Sequence, residues 1–479
     1  MTTLMNGVAS AVQWAAQMLY SWVLVFLLIG VGIYLTIYMR GVQIRHFPNM
    51  IRALKGARSI KGQEVSSFQA FAVGLGTRIG IGNIGGVALA LIMGGPGAIF
   101  WMWIVAAVGM ATSFVECVLA QIFKSEVEPG IYRGGPAYYI SRALGWKRVA
   151  AVSACISVVA SGLAVPMVQV NTVASTLGAN HGVPTWVTML IFLVLLAPVI
   201  LGGMYSVARA SEYLTPIMAG LYILVTIAVL ALNPAAAAAA FGWIITAAFG
   251  PTQVAGGVTG GLFVALVNGA RRGLFSNEAG LGTTPNNAGA ATVAHPVQQG
   301  LVQSLGVFID TIVVCTATAL LILVSGAYHP AMPTQAAGSL TAQAVTSSLG
   351  SWMALPMSLM IFVFGYTSAY GAYSHGQVAL DHLSRRPAVT LVYRAAAVLA
   401  ASAGAIVNLP VAWALSDLLL GLGAIINLVA IVVLVRWVRL VLQDWESLKR
   451  RGKPLVFNAN RYPELRELTQ EGVWNGELR

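Results

Sequence analysis

Two stretches of this sequence combine glycine, polar and charged residues inside otherwise apolar surroundings. The first is Gly74-Leu75-Gly76-Thr77-Arg78-Ile79-Gly80-Ile81-Gly82-Asn83-Ile84-Gly85. The second runs from Asn268 through Arg271, Arg272, Phe275, Ser276, Asn277 and Glu278 to Gly282. In hydrocarbon an unpaired amide or carbonyl costs several kcal/mol, so backbone unwinds there only where it faces protein, water or a ligand. A half-helix N-terminus offers N–H groups to an anion such as a carboxylate, and unwound carbonyls can coordinate a small cation. Paired interruptions of this kind are how carriers with inverted repeats build a central site. Residues 80–85 also spell G-x-G-x-x-G, but a dinucleotide fingerprint needs a preceding strand and a soluble βαβ unit. Neither is legible here.

The elements that position these stretches are apolar. Of 479 residues, 58% are hydrophobic and 9% charged, against about 25% charged in a soluble domain. The 51 glycines and a mean hydropathy of +0.79 suit close helix contact in a bilayer. Eleven runs are long enough to cross: roughly 20–39, 66–93, 96–123, 148–176, 184–204, 213–233, 254–284, 299–326, 352–380, 389–408 and 411–436. The first is read as a span, not a cleaved leader, because residues 1–19 hold no Lys or Arg.

Charge then orients the chain. Arg40, Arg45, Arg52, Lys55, Arg58 and Lys61 follow the first run; Lys124, Arg133, Arg142, Lys147 and Arg148 follow the third. Arg209, the pair Arg385 and Arg386, and a basic tail from Arg436 to Arg451 follow the fifth, ninth and last. The intervening loops 177–183, 234–253 and 327–351 contain no Lys or Arg. Positive residues stay on the cytoplasmic side, which predicts an all-α polytopic protein, N-out and C-in. The net charge of +12 is thus an orientation signal and not a nucleic-acid footprint. The interruptions open the second and seventh runs. Five runs separate one from the next, and an odd repeat inverts its second copy. A 5+5 inverted repeat follows one extra N-terminal helix: 1–65 the first helix and an interfacial segment, 66–233 and 234–436 the two repeats, 437–479 a basic tail. Residues 43–58 and 437–450 read as interfacial helices, Pro234–Ala240 as an Ala-rich loop, and the segment after Gly452 as polar and at best partly ordered.

Particular motifs resemble one family. Gly80–Ala88, Gly94–Trp103, Thr112–Glu116, Gly134–Ile140, Phe275–Gly282, His295-Pro296 with Gln299-Gly300, and Gly306–Thr311 are similar to the signatures of the alanine or glycine:cation symporters over roughly residues 15–450. The resemblance implies a fold of the amino acid–polyamine–cation class and symport of a small neutral amino acid, alanine, glycine or a larger one such as glutamine, with sodium or sometimes protons. By the same resemblance the substrate meets Gly80, Gly82 and Asn83 of the first interruption, Gln169 and Asn171 of the fourth run, and Phe275, Ser276 and Asn277 of the second interruption. Sodium lies between carbonyls near Thr77 and Gly80 and the hydroxyls of Thr367 and Ser368, in a Phe364-Gly365-Tyr366-Thr367-Ser368 motif similar to the family's. The chain departs from the family at Ala372, where Trp or Asn is common, and at Gln377, where Glu is common. A smaller wall at Ala372 admits a larger amino acid, or a water.

Intramembrane charge is functional by default, so Arg78, Glu116, Arg271, Arg272, Glu278 and Asp310 are candidates for gating or coupling, against a structural role in pairing. Tyr20, Trp22, Trp186 and Trp437 read as interfacial anchors. Cys117, Cys155 and Cys315 lack metal-ligand spacing and read as packing residues, and none of the six histidines suggests a metal pair. Apart from co-transported sodium no cofactor is expected, and no obligate protein partner. An embedded enzyme would need a nucleophile–base pair or ligand cluster, and a channel a continuous polar pore. A proton-coupled amino-acid carrier or exchanger is the nearer alternative. The expected location is the inner membrane.

Overall fold

The computed structural model describes residues 12, 14–55, 65–249, 260–330, 332–407 and 409–475. Arg58 and Lys61 lie outside the described residues, as do 250–259. The chain is an all-helical, multi-pass membrane protein. Among the described residues, seven helices are long and apolar enough to cross a bilayer, or eight when one bent pair counts as a span.

The first apolar helix ends as α1 (Val25–Tyr38), and α2 (Phe47–Lys55) follows it with a strongly amphipathic face. α3 (Ser67–Arg78) opens on a capping box, in which the Ser66 hydroxyl accepts from Gln69 N and the Gln69 side chain accepts from Ser66 N. After a bend of 44° the chain continues as α4 (Gly82–Gly94). Then come α5 (Gly97–Ile122), α6 (Pro136–Ala143), α7 (Lys147–His181), α8 (Thr185–Leu201) and α9 (Gly203–Leu232). The Ala-rich segment expected to be a loop is helical, as α10 (Pro234–Phe249). Alanine has the best intrinsic helix propensity, and absence of charge does not make a segment a loop.

The second half contains α11 (Gly260–Asn277), the short α12 (Thr284–Ala290), α13 (Pro296–Val324), α14 (Ala337–Leu349), α15 (Ala354–Leu383) and α16 (Pro387–Ala403). α17 (Leu409–Arg450) is one helix of 42 residues, about 63 Å long. The separate interfacial helix expected at 437–450 is therefore the extension of the last span. Its Trp437 is buried, as is Tyr20, whereas Trp22 and Trp186 are exposed. Among the described residues, four helical segments widen into π-helix: Leu19–Leu24, Gly82–Gly86, Ala160–Ala164 and Phe308–Cys315.

α5 forms the spine, packed along both α11 and α13. Contact is close because small residues permit it: a Cβ on Gly269 would lie 2.2 Å from the Ala98 carbonyl oxygen. One two-stranded parallel ladder, Val65–Ser66 with Ala291–Thr292, joins the start of α3 to the end of α12. An antiparallel hairpin, Ser125–Glu128 with Ile131–Arg133, follows α5.

The end of the molecule that carries these strands also receives the C-terminal segment, and is here termed the tail face. The segment after Gly452 is packed through 475, more ordered than its polarity suggests. Phe457 N donates to the Ala294 carbonyl at 2.9 Å, and Trp474 Nε1 donates to the Gln121 and Ile122 carbonyls at 3.2 Å each. Phe457 stacks with Tyr462 and meets Trp474 and His295 edge-on. Three aromatic residues supply the burial that the segment's average composition hides.

Candidate functional site

Both interruptions are present, and both are shorter than the glycine pattern suggests. α3 stays helical through Arg78, so only Ile79–Ile81 separates it from the π-helical turn of α4. α11 stays helical through Asn277, and Glu278–Thr283 is unwound before α12. Buried backbone keeps its own hydrogen bonds wherever it can. The two interruptions face each other: a Cβ on Gly82 would lie 3.4 Å from the Phe275 ring and 3.5 Å from Ser276 Cα.

The first interruption packs against α15 and α7. A Cβ at Gly80 would fall 2.1 Å from Ser368 Oγ, so no larger residue fits without displacement. Ser368 Oγ donates to the Gly76 carbonyl at 2.8 Å and lies 3.5 Å from the Thr77 carbonyl oxygen. Thr367 Oγ1 donates to its own helix at Phe364 O, 3.0 Å, while its Cβ approaches Gly76. Two carbonyl oxygens and a hydroxyl oxygen on facing helices form a hard donor set, fit for a small cation. Gln169 Oε1 accepts from Ile81 N at 3.4 Å. Asn171, two residues along α7, points elsewhere: its Nδ2 donates to Gly404 O and Val407 O at 2.7 Å each. Two residues turn a helix by about 200°, so Gln169 and Asn171 cannot share one face.

A third element bridges the interruptions. Asp310 sits in the π-helical part of α13, fully buried. Its Oδ1 accepts from Asn83 Nδ2 at 2.7 Å, and its Oδ2 from Ser276 Oγ at 2.9 Å and Thr311 Oγ1 at 2.7 Å. One carboxylate thus ties Asn83, just after the first interruption, to Ser276, just before the second. Asn277 instead caps its own turn, its Oδ1 accepting from Ala279 N at 3.0 Å.

The remaining charges divide by depth. Arg78, 1% exposed, donates to Gln303 O at 3.0 Å, Ser113 Oγ at 3.2 Å and Thr284 Oγ1 at 3.1 Å. Glu278 adopts a left-handed φ of 57°, and its Oε2 accepts from Thr283 and Thr284 at 2.8 and 3.2 Å. Glu116 accepts from Gly280 N at 3.2 Å and from Asn427 Nδ2 at 2.9 Å. Among the described residues none of these three, nor Asp310, forms an ion pair. Arg271 and Arg272 lie away from the tail face, beside the start of α17. Arg271 pairs with Asp417 at 2.5 Å and lies over the Tyr20 ring. Arg272 lies over Trp413, whose ring meets that of Phe275 with centroids 4.9 Å apart.

A narrow cavity opens between the interruptions, lined by Thr77, Arg78, Gly82, Gln169, Phe275, Glu278 and Ala372, and also by Ser161, Thr283 and His375. A second cavity shares Ser161, Leu281, Thr283 and Leu420 with it and extends to Pro136 and Ala379, towards the tail face. Ser161 and His375 were missed in the sequence. Ser161 belongs to a π-helical segment that no local motif announces. His375 lies one turn beyond Ala372, and that spacing could have found it. Cys117 and Cys315 are buried, and Cys155 is exposed. No cluster of three or more metal-ligating side chains occurs among the described residues.

Residues 5–459 match the family described as the sodium:alanine symporter family. The probable sodium/glutamine symporter GlnT of Bacillus subtilis is 39% identical over 444 residues, 92% of each chain. The amino-acid carrier protein AlsT of the same organism is 39% identical over 444 residues, 92% of this chain and 93% of its own. The sodium/alanine symporter AgcS of Methanococcus maripaludis is 37% identical over 440 residues, 90% of this chain and 94% of its own.

Proposed function

We propose, from the premise that this chain belongs to the sodium:alanine symporter family, that it carries out sodium-coupled symport of a small neutral amino acid by alternating access. It does so as a carrier of the inner membrane, N-out and C-in, with eleven crossings arranged as two inverted five-helix repeats, 66–233 and 234–436, after one extra helix. The carrying observation is the oxygen set of Gly76, Thr77 and Ser368 beside an interruption that meets a second one at Phe275–Ser276.

Sodium, as cargo, is held between the carbonyls of Gly76 and Thr77 and the hydroxyl of Ser368, with Gly80 and Thr367 beside that set. The substrate carboxylate meets the N–H groups at Gly80–Asn83, with Gln169, Phe275 and Ser276 around it. Ala372 leaves room for a side chain longer than alanine's, consistent with a relative named for glutamine. Asn83 and Ser276, both bonded to Asp310, move together, so closure of one interruption is felt by the other. Arg271 with Asp417, and Arg272 and Phe275 against Trp413, close the outer end. Arg78, Glu278 and Glu116 hold the second interruption, and Asn171 and Asn277 support backbone.

The test is uptake of labelled glycine, alanine, serine and glutamine into proteoliposomes. Accumulation driven by an inward sodium gradient is expected. Accumulation under a proton gradient alone would retain the fold and favour proton coupling, for which the buried carboxylates without ion pairs, Glu116, Glu278 and Asp310, are the candidate carriers. No accumulation under either gradient, with no binding, would sink the reading.

A further inference from the structure

Most polar atoms that line the central cavity are already partnered. Gln169 accepts from Ile81, Thr77 Oγ1 donates to Gly74 O, and Glu278 accepts from Thr283 and Thr284. Arg78 keeps its Nη groups bonded while its Nε has no partner, and two further side chains carry orphan atoms. His375 is 1% exposed and its Nε2 has no hydrogen-bond partner; Ser161, equally buried, has none for its Oγ. Both line the same cavity as Gly82, Gln169, Phe275 and Ala372. Buried polar groups are ordinarily satisfied, and an orphan in a cavity calls for a water or a ligand.

Their placement discriminates between ligands. Ala372 and His375 are three residues apart on α15, on one face and separated by about 4.5 Å of rise. The first leaves space beside the interruption, and the second presents a polar ring where that space leads. That offset is on the scale of a glutamine side chain. Arg78 and Glu278 line the same cavity, so neither sign of side-chain charge is favoured. A neutral group with both a donor and an acceptor matches two orphan atoms on opposing helices.

We infer that this cavity selects amino acids with a carboxamide side chain, glutamine or asparagine, and that His375 and Ser161 are its specificity-determining residues. This rests on the symport reading above and narrows its substrate class. The cavity is narrow in this state, and substrate access requires α7 and α15 to part around it. An apolar side chain of similar length, such as methionine's, would leave both orphans unpaired and be rejected; sites built around a hydrogen bond discriminate in this way.

Sodium-driven uptake of labelled glutamine into proteoliposomes, competed by unlabelled glutamine, asparagine and methionine, tests the inference. For wild type, glutamine is expected to compete at least about 10-fold better than methionine. His375→Phe is expected to bring that ratio close to one, His375→Asn to restore part of it, and Ser161→Ala to lower it by a smaller factor. Equal competition by glutamine and methionine in wild type, with sodium-driven uptake of alanine intact, would overturn the inference and leave symport standing. A ratio unchanged in Ser161→Ala and in whichever His375 variant transports would also overturn it, and would identify water as the partner of both atoms. Absence of sodium-driven uptake of every amino acid by wild type would sink the symport reading itself.

Discussion

The two interruptions solve one problem in different ways. The first breaks over three residues without any left-handed residue and resumes as a π-helical turn, stabilised by contact with α15 and α7. The second turns through left-handed Glu278, Gly280 and Gly282 and is tied by side chains: Glu116 and Asn427 at Gly280, Thr283 and Thr284 at Glu278. The first therefore keeps carbonyls and amides facing other helices and a cavity, where ligands can use them. The second has its backbone and its carboxylate bonded by side chains of its own turn and of α5 and α17, and serves as a fixed wall. Chemistry concentrates where backbone groups face a cavity, and stability where side chains bond them.

The harshest way to break that contrast is at Gly80. Its Cβ position lies 2.1 Å from Ser368 Oγ, so Gly80→Ala must turn that hydroxyl off the Gly76 and Thr77 carbonyls or shift α15. Uptake is expected to fall by a factor on the order of 100, since small misplacements at a site cost that much. Gly86→Ala, in the π-helical turn that follows but with nothing within 4 Å of its Cβ position, is expected to transport normally. Initial uptake rates at matched protein density compare the two. Equal loss in both would show that the turn needs glycine for flexibility and not for its contact with Ser368.

Next in size is Ser368→Ala. It removes one oxygen from the proposed cation set while leaving the Gly76 and Thr77 carbonyls in place. The sodium concentration for half-maximal uptake is expected to rise about 10-fold, about 1.4 kcal/mol, with a smaller change in maximal rate at saturating sodium. A sodium dependence identical to wild type would move the cation elsewhere.

Glu116→Gln probes the second interruption in the opposite sense. The carboxylate accepts from two donors, Gly280 N and Asn427 Nδ2. A glutamine in the same pose accepts at one position and opposes a donor at the other. The expected cost is about 1–3 kcal/mol, read as a lowered midpoint of thermal unfolding in detergent, with sodium dependence less affected than in Ser368→Ala. A large shift in sodium dependence at unchanged stability would make Glu116 a coupling residue and erase the distinction between the interruptions.

Much of this contrast was legible beforehand, and the reasons for the gaps are physical. Glycine beside charge inside apolar runs located both interruptions, because little else tolerates that composition in a bilayer. Their lengths were overestimated: Asn268, Arg271 and Arg272 stay helical in α11, since a glycine permits unwinding without requiring it. Thr367-Ser368 and Gln169 came from motif resemblance and lie against the first interruption. Asn171 came with Gln169, yet helical geometry turns it towards α16. The bond from Asn83 to Asp310 was not legible, because it joins residues over 200 positions apart. The π-helical segments at Ala160–Ala164 and Phe308–Cys315 carry no local signal. Composition averages misled at Pro234–Phe249 and in the tail, where alanine propensity and three aromatic residues decide the structure.

The tail face supplies a control remote from both interruptions. His295, just before α13, is 1% exposed and lies 3.3 Å from Asp444 Oδ2, with its ring against Phe457. Burial lowers its pKa below the ordinary 6.5, and the nearby Asp444 carboxylate offsets only part of that. The folded state therefore holds His295 neutral, while the unfolded chain takes up a proton near pH 6.5. Its contribution to stability is complete above that pH and is lost as pH falls from 6.5 towards the depressed folded value. Docking of the 453–475 segment, followed by proteolytic release of the tail, is expected to weaken across that window. His295→Gln, which does not titrate, is expected to flatten the dependence. The effect is small beside those above, and it should leave the sodium dependence of uptake at neutral pH as in wild type. A pH dependence that survives His295→Gln would place the titration elsewhere, while a coupled change in sodium dependence would mean that tail docking reaches the first interruption.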